Sequence, residues 1–502
     1  MENGIETDII DIKTKKNYFD SLGRRFFNYY NVLFEKLSNV DVRGKLYPDV
    51  KEQIIKETIF SSPSLIGISC ITREYHSVMS IASELKNRLG APIVVGGIHP
   101  SLYPQQFIYE KSPVDFIVIG EGEDALLELS RNLESGRGDY DSIDGIAYLK
   151  NGRFHRTSIR RLKNEILISP INVYHKLNMK FYTSVHPYVV RYVKMSGTQI
   201  FTSRGCPYRC TFCSNPLIWK MNKSYKPIRY RPIRSVIEEI KFLRDSYHID
   251  SFYIMDDTFC IEKKRVEEFC SELKNERINL VWGSETRSNL VDEPLLKQMK
   301  KTGLVQLDIG VESGSNEMLK EIKKDITVQD TINIFLLMRK HGVRGYANFM
   351  INLPNETLEQ LQETIDLMEK IRPSTGGVGI TVPLPKTEIF NKYIAPRIKK
   401  DEEVINLIDK DINYIKITDD RFRLSEYNID CEKLIYKLGY KYFRFTPSQL
   451  LKLWYWKIFL KSKKKPEYIL SIVREISYFL ERAIIEKLLK KIIFYKKAKK
   501  CF

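Results

Sequence analysis

The chain alternates short apolar runs with amphipathic helical stretches, and it does so in two separate series. In the first, SLIGISC (64–70), PIVVGG (92–97) and VDFIVIG (114–120) read as buried strands, with the helix-spaced HSVMSIASELKNRLG and the stretch EDALLELSRNL among them. DIIDI (8–12) reads as an earlier strand and RRFFNYYNVLFEKL as a helix. Buried strands separated by helices predict an α/β, doubly wound, Rossmann-like domain over residues 1–150. Ligands of such sheets sit beyond the carboxyl ends of the strands, which singles out the loops SCIT, GGIHPS and GEGE.

The second series begins at GTQIFTSRGC. Strand candidates TQIFTS, SFYIMDD, LVWGSETR, LVQLDIGVES, RGYANFMINLP and GGVGITVPLP are separated by helical stretches such as PIRSVIEEIKFLRDSY. Six βα units in a row predict a partial or full TIM-type barrel over residues 196–395, with its chemistry at the carboxyl ends of the strands. Residues 151–195 read as a linker in which KNGRFHRTS forms a hairpin. From residue 396 to 502 the alternation stops, and the region is helical, basic and rich in aromatic residues.

Composition bounds the partners. The 502 residues suit more than one domain, and the net charge of +18 suits an anionic partner or surface, or a lysine-rich compositional bias. Seven histidines are too few for a histidine-built metal enzyme to be the first reading. Of eight cysteines, three cluster and five are scattered, which is no secreted disulfide framework. MENGIETDIIDIKTKK is too polar for a signal peptide, and no apolar run approaches the ~20 residues of a membrane span. The expected location is the reducing cytoplasm.

SRGCPYRCTFCSNP holds Cys206, Cys210 and Cys213 in a C-x3-C-x2-C spacing, directly after the first strand of the second series. Thiolates on one short loop bind metal. A structural zinc site takes four ligands and would need a distant fourth. A [4Fe–4S] cluster held by three cysteines keeps one iron open, as a catalytic metal requires.

With Phe212 before the last cysteine, this loop resembles the signature of the radical S-adenosylmethionine (SAM) superfamily. The resemblance implies that SAM chelates the open iron and is cleaved reductively to a 5′-deoxyadenosyl radical, with an external donor such as flavodoxin or ferredoxin supplying the electron. MDDTF (255–259), ETRSN (285–289), GVESGS (310–315), MINLPNET (350–357) and PLPKTE (383–388) are similar to the motifs of the branch with an N-terminal cobalamin-binding domain. By that likeness Phe212, Asp256 and Asp257 line the cofactor site, Arg287 approaches the SAM carboxylate, and Glu312 and Ser313 lie near its ribose or methionine. Structural alternatives are an Arg287–Glu312 pair and Asp257 as a helix cap. The family's GLPGET reads NLPNET here, and its PGT reads PKT, so Asn352, Asn355 and Lys386 replace glycines.

GISCIT, VVGGIHPS and DFIVIGEGE resemble the cobalamin-binding domain itself, so the likeness spans roughly residues 8–390. It implies contacts from Ser69, Gly96 and Gly97 to the nucleotide tail, with Gly120, Glu121 and Gly122 at the rim. The alternatives are a phosphate or nucleotide pocket of another kind and a degenerate domain with no ligand. The D-x-H-x-x-G motif that supplies a cobalt ligand is absent. This suits the branch's methyltransferases, in which cobalamin carries a methyl group from SAM to an unactivated carbon of a small molecule or lipid.

The alternatives are a radical cyclase or carbon–carbon coupling enzyme of the same branch, a cluster-bearing sensor, and a tRNA methylthiotransferase-like enzyme. Only Cys70 lies upstream of the loop, against the second cysteine trio usual in the last. The basic tail suggests helices packed on the barrel or docked peripherally on an anionic membrane; nucleic acid is disfavoured, since no recognition module accompanies the charge.

Overall fold

The computed structural model describes residues 6–10, 48–162, 166, 169–190, 193–221, 226–398, 423–443 and 453–470. Residues 8–10 form no strand; the rest of that expected strand, the helix expected at 24–37 and the tail beyond residue 470 lie outside the described residues.

The N-terminal unit follows the order α1 (Pro48–Ser61), β1 (Ile66–Ser69), α2 (Tyr75–Leu89), β2 (Ile93–Gly96), β3 (Phe116–Val118), α3 (Glu123–Ser135), β4 (Ile146–Lys150) and β5 (Arg153–Arg156). Its sheet runs β1-β2-β3-β4-β5, the first three strands parallel and the last two antiparallel. Alternation within the strands divides the apolar residues between two cores. Ile93, Val95 and Ile117 pack with Ile81 and Leu85 of α2. Val94, Phe116 and Val118 pack with Ala125 and Leu129 of α3 on the other face. Both faces are therefore covered, as buried parallel strands require. The expected hairpin turns at Asn151-Gly152, residues suited to a two-residue loop, and adds β4 and β5 to this sheet.

The second sheet has seven strands in the order β14-β13-β12-β11-β10-β7-β6. β6 (Val185–Val190) is antiparallel to β7 (Val193–Ile200). β10 (Ser251–Ile254), β11 (Val281–Thr286), β12 (Leu304–Glu312), β13 (Arg344–Ile351) and β14 (Thr375–Ile380) continue parallel to β7. These parallel strands are the six expected, and they form an open part-barrel. The stretch 151–195 is more than a linker, because it supplies β5 to one sheet and β6 with the start of β7 to the other. The β6–β7 pair was missed because its residues show no clean alternation.

Helices α4 (Ile233–Tyr247), α5 (Lys263–Asn275), α6 (Glu293–Lys301), α7 (Val328–Lys340) and α8 (Leu358–Ile371) flank these strands. Phe252, Trp282, Leu307, Ile309 and Phe349 pack with their apolar faces in the largest core. Capping boxes at Thr327 and Thr357 start α7 and α8, each side chain accepting from the third backbone amide along. Beyond the barrel, α9 (Cys431–Tyr442) packs on β14. The segment after α10 (Leu453–Lys461) is fixed near the amino end of β10: Ser196 N–H donates to the Tyr468 hydroxyl at 3.1 Å, and that hydroxyl donates to Asp250.

Candidate cofactor site

The cysteine loop rises from a hairpin of β8 (Ser203–Gly205) and β9 (Ile228–Tyr230) at the carboxyl end of β7. Its base is clamped from three sides. Asp256 accepts from the backbone amides and hydroxyls of both Thr202 and Ser203. Arg231 donates to the Phe201 carbonyl at 2.7 Å, and Arg265 to the Thr202 carbonyl at 3.1 Å. Gly205 has φ +91°, and a Cβ there would stand 2.3 Å from the Pro227 carbonyl oxygen, so only glycine fits before Cys206.

Within the loop, the Cys213 amide donates to the Cys210 carbonyl at 3.1 Å, and the Asn215 amide faces the Cys213 sulfur at 3.5 Å. Thr258 Oγ1 lies 3.7 Å from the Cys206 sulfur. Burial pushes the Cys206 thiol up, and burial with the neighbouring thiols pushes Cys213 up to about 11. Such thiols ionise only when a cation compensates the charge, so loading iron here displaces protons. Among the described residues, no three His, Cys, Asp or Glu side chains converge as ligands of a single metal ion.

Arg287 follows β11 and reaches the same loop. One terminal nitrogen donates towards the Cys210 sulfur at 3.7 Å, and its guanidinium lies 3.6 Å from the centre of the Tyr208 ring. The residue is buried, yet Nε and the other terminal nitrogen have no hydrogen-bond partner among the described residues. Unmatched buried guanidinium donors beside thiols are what a carboxylate bound over a cluster would satisfy.

The other expected residues divide. Asp257 is exposed beside the thiols, within electrostatic reach of Cys206 and Cys213, and caps no helix. Asp256 does not line an open site: its oxygens are occupied by the base of the loop, so it positions that loop instead. Ser313 is fully buried, with its hydroxyl on Thr364 and on the Ser315 amide, and so acts in the turn. Glu312 is paired with Lys324 at 2.6 Å rather than with Arg287. Phe212 packs between two small apolar clusters, one with Phe390 and one with Leu319 and Leu353, and anchors the loop.

The glycine replacements have a common cause. Asn352, Asn355 and Lys386 have φ of 61°, 57° and 64°. The family's glycines stand where the backbone is left-handed; asparagine tolerates that region, and lysine does so at a cost. Asn352 also holds the Leu424 and Ser425 amides through Oδ1, at 3.0 and 3.2 Å.

In the N-terminal sheet, Ser69 lies beside Gly96 at the carboxyl edge. Gly97 has φ +108°, and a Cβ there would meet the Cys70 carbonyl oxygen at 2.6 Å. The Gly120 amide donates to Ser101 Oγ at 2.9 Å, which ties the second loop to the third. Glu121 does not stand as a free rim: Arg204, two residues before Cys206, meets it at 2.6 Å, and Arg229 pairs with its other oxygen. The carboxyl edge of this sheet therefore abuts the cysteine hairpin. His99 is buried among the rings of Tyr75, Tyr103 and Phe107, and burial lowers its pKa to about 4.

Comparison with known proteins agrees with this arrangement. The Radical SAM superfamily model matches residues 200–368, and the B12 binding domain model matches residues 30–130. The uncharacterized methyltransferase PH0819 of Pyrococcus horikoshii is 31% identical over 66% of this chain and 70% of its own length. The chain belongs to the radical SAM superfamily. It falls in the branch whose barrel follows a B12-binding domain, and it is an enzyme whose cofactors are a [4Fe–4S] cluster, SAM and cobalamin. The anaerobic magnesium-protoporphyrin IX monomethyl ester cyclase of Rubrivivax gelatinosus is 28% identical over 68% of this chain, which spans 61% of that cyclase. The structure of the radical SAM methyltransferase TsrM from Kitasatospora setae, with cobalamin and a [4Fe–4S] cluster bound, shares the fold at a TM-score of 0.54 and 18% identity, over 69% of each chain.

Sequence reasoning missed Tyr208, Thr258, Lys324, Arg204 and Arg229. Tyr208 and Arg204 both sit inside the quoted stretch SRGCPYRCTFCSNP, within reach of a reading that looked past the cysteines. Thr258 and Lys324 matter only through contacts 52 and 12 residues away, which spacing does not reveal.

Proposed function

We propose that Cys206, Cys210 and Cys213 hold the cluster, that Arg287 receives the SAM carboxylate, and that cobalamin sits between the barrel and the edge formed by Ser69, Gly96, Gly97 and Gly120–Gly122. When bound, these groups supply a one-electron reductant, a radical source and a methyl carrier. The chain's own residues orient them: Asp256 fixes the base of the loop, Tyr208 and Cys210 hold Arg287, and Glu121 braces the two halves together. The proposed reaction is methylation of an unactivated carbon of a polar small molecule.

The observation that carries the polar substrate is the inner face of the barrel. Register places Glu285, Asp308 and Tyr346 in one row, and Gly310, Asn348 and Gly377 in the next. Below them the Arg344 guanidinium donates to Gln306 at 2.8 Å, and Gln306 donates to Asp308 at 2.7 Å. Asn348 is exposed although its strand is paired on both sides. The Glu312–Lys324 pair fills the space over Gly310, and the Tyr346 hydroxyl stands 3.0 Å from where a Cβ on Gly377 would be, so this wall is polar, and an apolar chain against it would strip water from groups it cannot satisfy.

Label transfer tests this reading. Reconstituted enzyme is incubated with methyl-labelled SAM, cobalamin, reductant and a metabolite extract, then partitioned between water and chloroform. The label is expected in a new aqueous species, resolved chromatographically from SAM and methionine, and only with cobalamin present. Label in the chloroform phase would reject the polar substrate, and 5′-deoxyadenosine without label transfer would favour the cyclase reading.

The C-terminal segment supports a separate proposal, peripheral contact with an anionic surface. Trp456, Leu460, Ile469 and Leu470 are 40–65% exposed, interspersed with exposed Lys457, Lys461, Lys463 and Lys465. Because this segment is fixed near the amino end of β10, such contact would anchor the enzyme rather than feed its site. Trp456→Ser/Leu460→Ser is expected to reduce co-sedimentation with phosphatidylglycerol vesicles several-fold, and binding that does not change would reject it.

A further inference from the structure

Lys386 occupies a left-handed backbone position, φ 64°, where a lysine is strained and a glycine is not. The strain is unrelieved by its neighbours, since nothing in the turn requires a side chain: Thr387 donates its hydroxyl to the Leu384 carbonyl, and Asn391 donates to the Lys386 carbonyl, both independent of the Lys386 side chain. What that side chain does is cross to the other sheet. Its ammonium donates to the Leu102 carbonyl at 2.5 Å and lies 4.3 Å from the centre of the Tyr103 ring. Leu102 and Tyr103 end the segment that begins at Gly97, directly after β2. The same segment carries Ser101, whose hydroxyl receives the Gly120 amide.

A second contact grips the next loop from the opposite side. Glu121 and Glu123 are held by Arg204, each at 2.6 Å, and Arg229 reaches Glu121 from β9. Burial opposes ionisation of Glu123, but the Arg204 guanidinium outweighs it and holds the carboxyl below its usual range. Two consecutive loops of the N-terminal sheet are thus fastened to the barrel, one beyond β14 and one at the cysteine hairpin.

We propose that Lys386 is a positioning residue that, with the Glu121–Arg204–Arg229 contact, fixes the separation and tilt of the cobalamin edge over the cluster loop. The inference rests on the proposed placement of those two cofactors. A lone ionic contact at the hairpin would leave the N-terminal sheet free to pivot about it; a second attachment at Leu102–Tyr103 removes that pivot. The strained backbone is kept because the side chain it carries has this second function.

The test uses the full-length reconstituted enzyme with Lys386→Gly, which removes the side chain and relieves the backbone together. Iron content, corrin retained after desalting, and thermal midpoint are expected to equal or exceed those of the parent. Amide hydrogen exchange across residues 98–107 is expected to quicken about tenfold, the fold-change that a lost hydrogen bond to a charged group carries. The ratio of methyl label transferred to 5′-deoxyadenosine formed is expected to fall, while total SAM cleavage holds. Lys386→Arg, which can still reach a carbonyl and stack on Tyr103, is expected to restore both. Unchanged exchange in Lys386→Gly, or an unchanged ratio alongside quickened exchange, would overturn the proposal. If the parent itself transfers no label, the methylation reading fails, and the exchange data together with the Lys386→Arg rescue still decide whether Lys386 fastens the two halves.

Discussion

Alanine at Cys206, Cys210 and Cys213 together is expected to abolish both iron retention after anaerobic reconstitution and reductive cleavage of SAM. The loop has no spare thiolate. Cys260 and Cys270 are fully buried in the barrel core, Cys70 is buried under β2, and burial pushes these thiols to about 12, 11 and 12 respectively. None can move to replace a lost ligand without dismantling a core. The fold should survive the substitutions, because the base of the loop is held by Asp256, Arg231 and Arg265 and its middle by Phe212 rather than by sulfur. Iron per chain and 5′-deoxyadenosine yield are the measurements, with circular dichroism as the control. A triple variant that still holds the parent's iron and cleaves SAM would remove the cluster from this loop.

How much of this was legible beforehand follows from what each feature depends on. The six parallel strands were readable because each is a short apolar run, and the first five are each followed by a helix-spaced stretch. The cysteine loop was readable because its chemistry lies within eight residues. Strand β6 was not, since its membership depends on pairing with β7 rather than on its own pattern. Individual roles were harder still. Asp256 and Asp257 are adjacent in sequence just beyond β10, yet one carboxylate is held in the base of the loop and the other is exposed beside the thiols. Glu121 looked like a rim residue because the arginines that occupy it arrive from residues 204 and 229. The asparagines of NLPNET stand in for glycines because their backbone is left-handed, a property that the sequence itself does not display.

Lys324→Met is expected to destabilise the chain by about 3–5 kcal/mol, the range found when one partner of a buried ion pair is removed. Lys324 and Glu312 are 8% and 9% exposed, and their 2.6 Å contact sits where β12 shifts register against β13. Glu312 is itself left-handed, φ 63°, a conformation glutamate adopts only when its surroundings impose it. The pair also lies directly over Gly310, where an added Cβ would come within 2.6 Å of both charged atoms. Removing the ammonium leaves a buried carboxylate without its counter-charge. Glu312→Gln should cost less, and Lys324→Met/Glu312→Gln should recover most of the loss, because the uncompensated charge has gone. Denaturant midpoints of the three variants measure this, and a Lys324→Met midpoint matching the parent's would show the contact to be dispensable. Equilibrium dialysis with SAM then separates the two uses of Glu312. If the carboxylate serves only to hold the end of β12 in its bent path, SAM affinity follows stability across the set. If its second oxygen meets SAM, Glu312→Gln loses affinity out of proportion to its stability, and the double variant does not regain it.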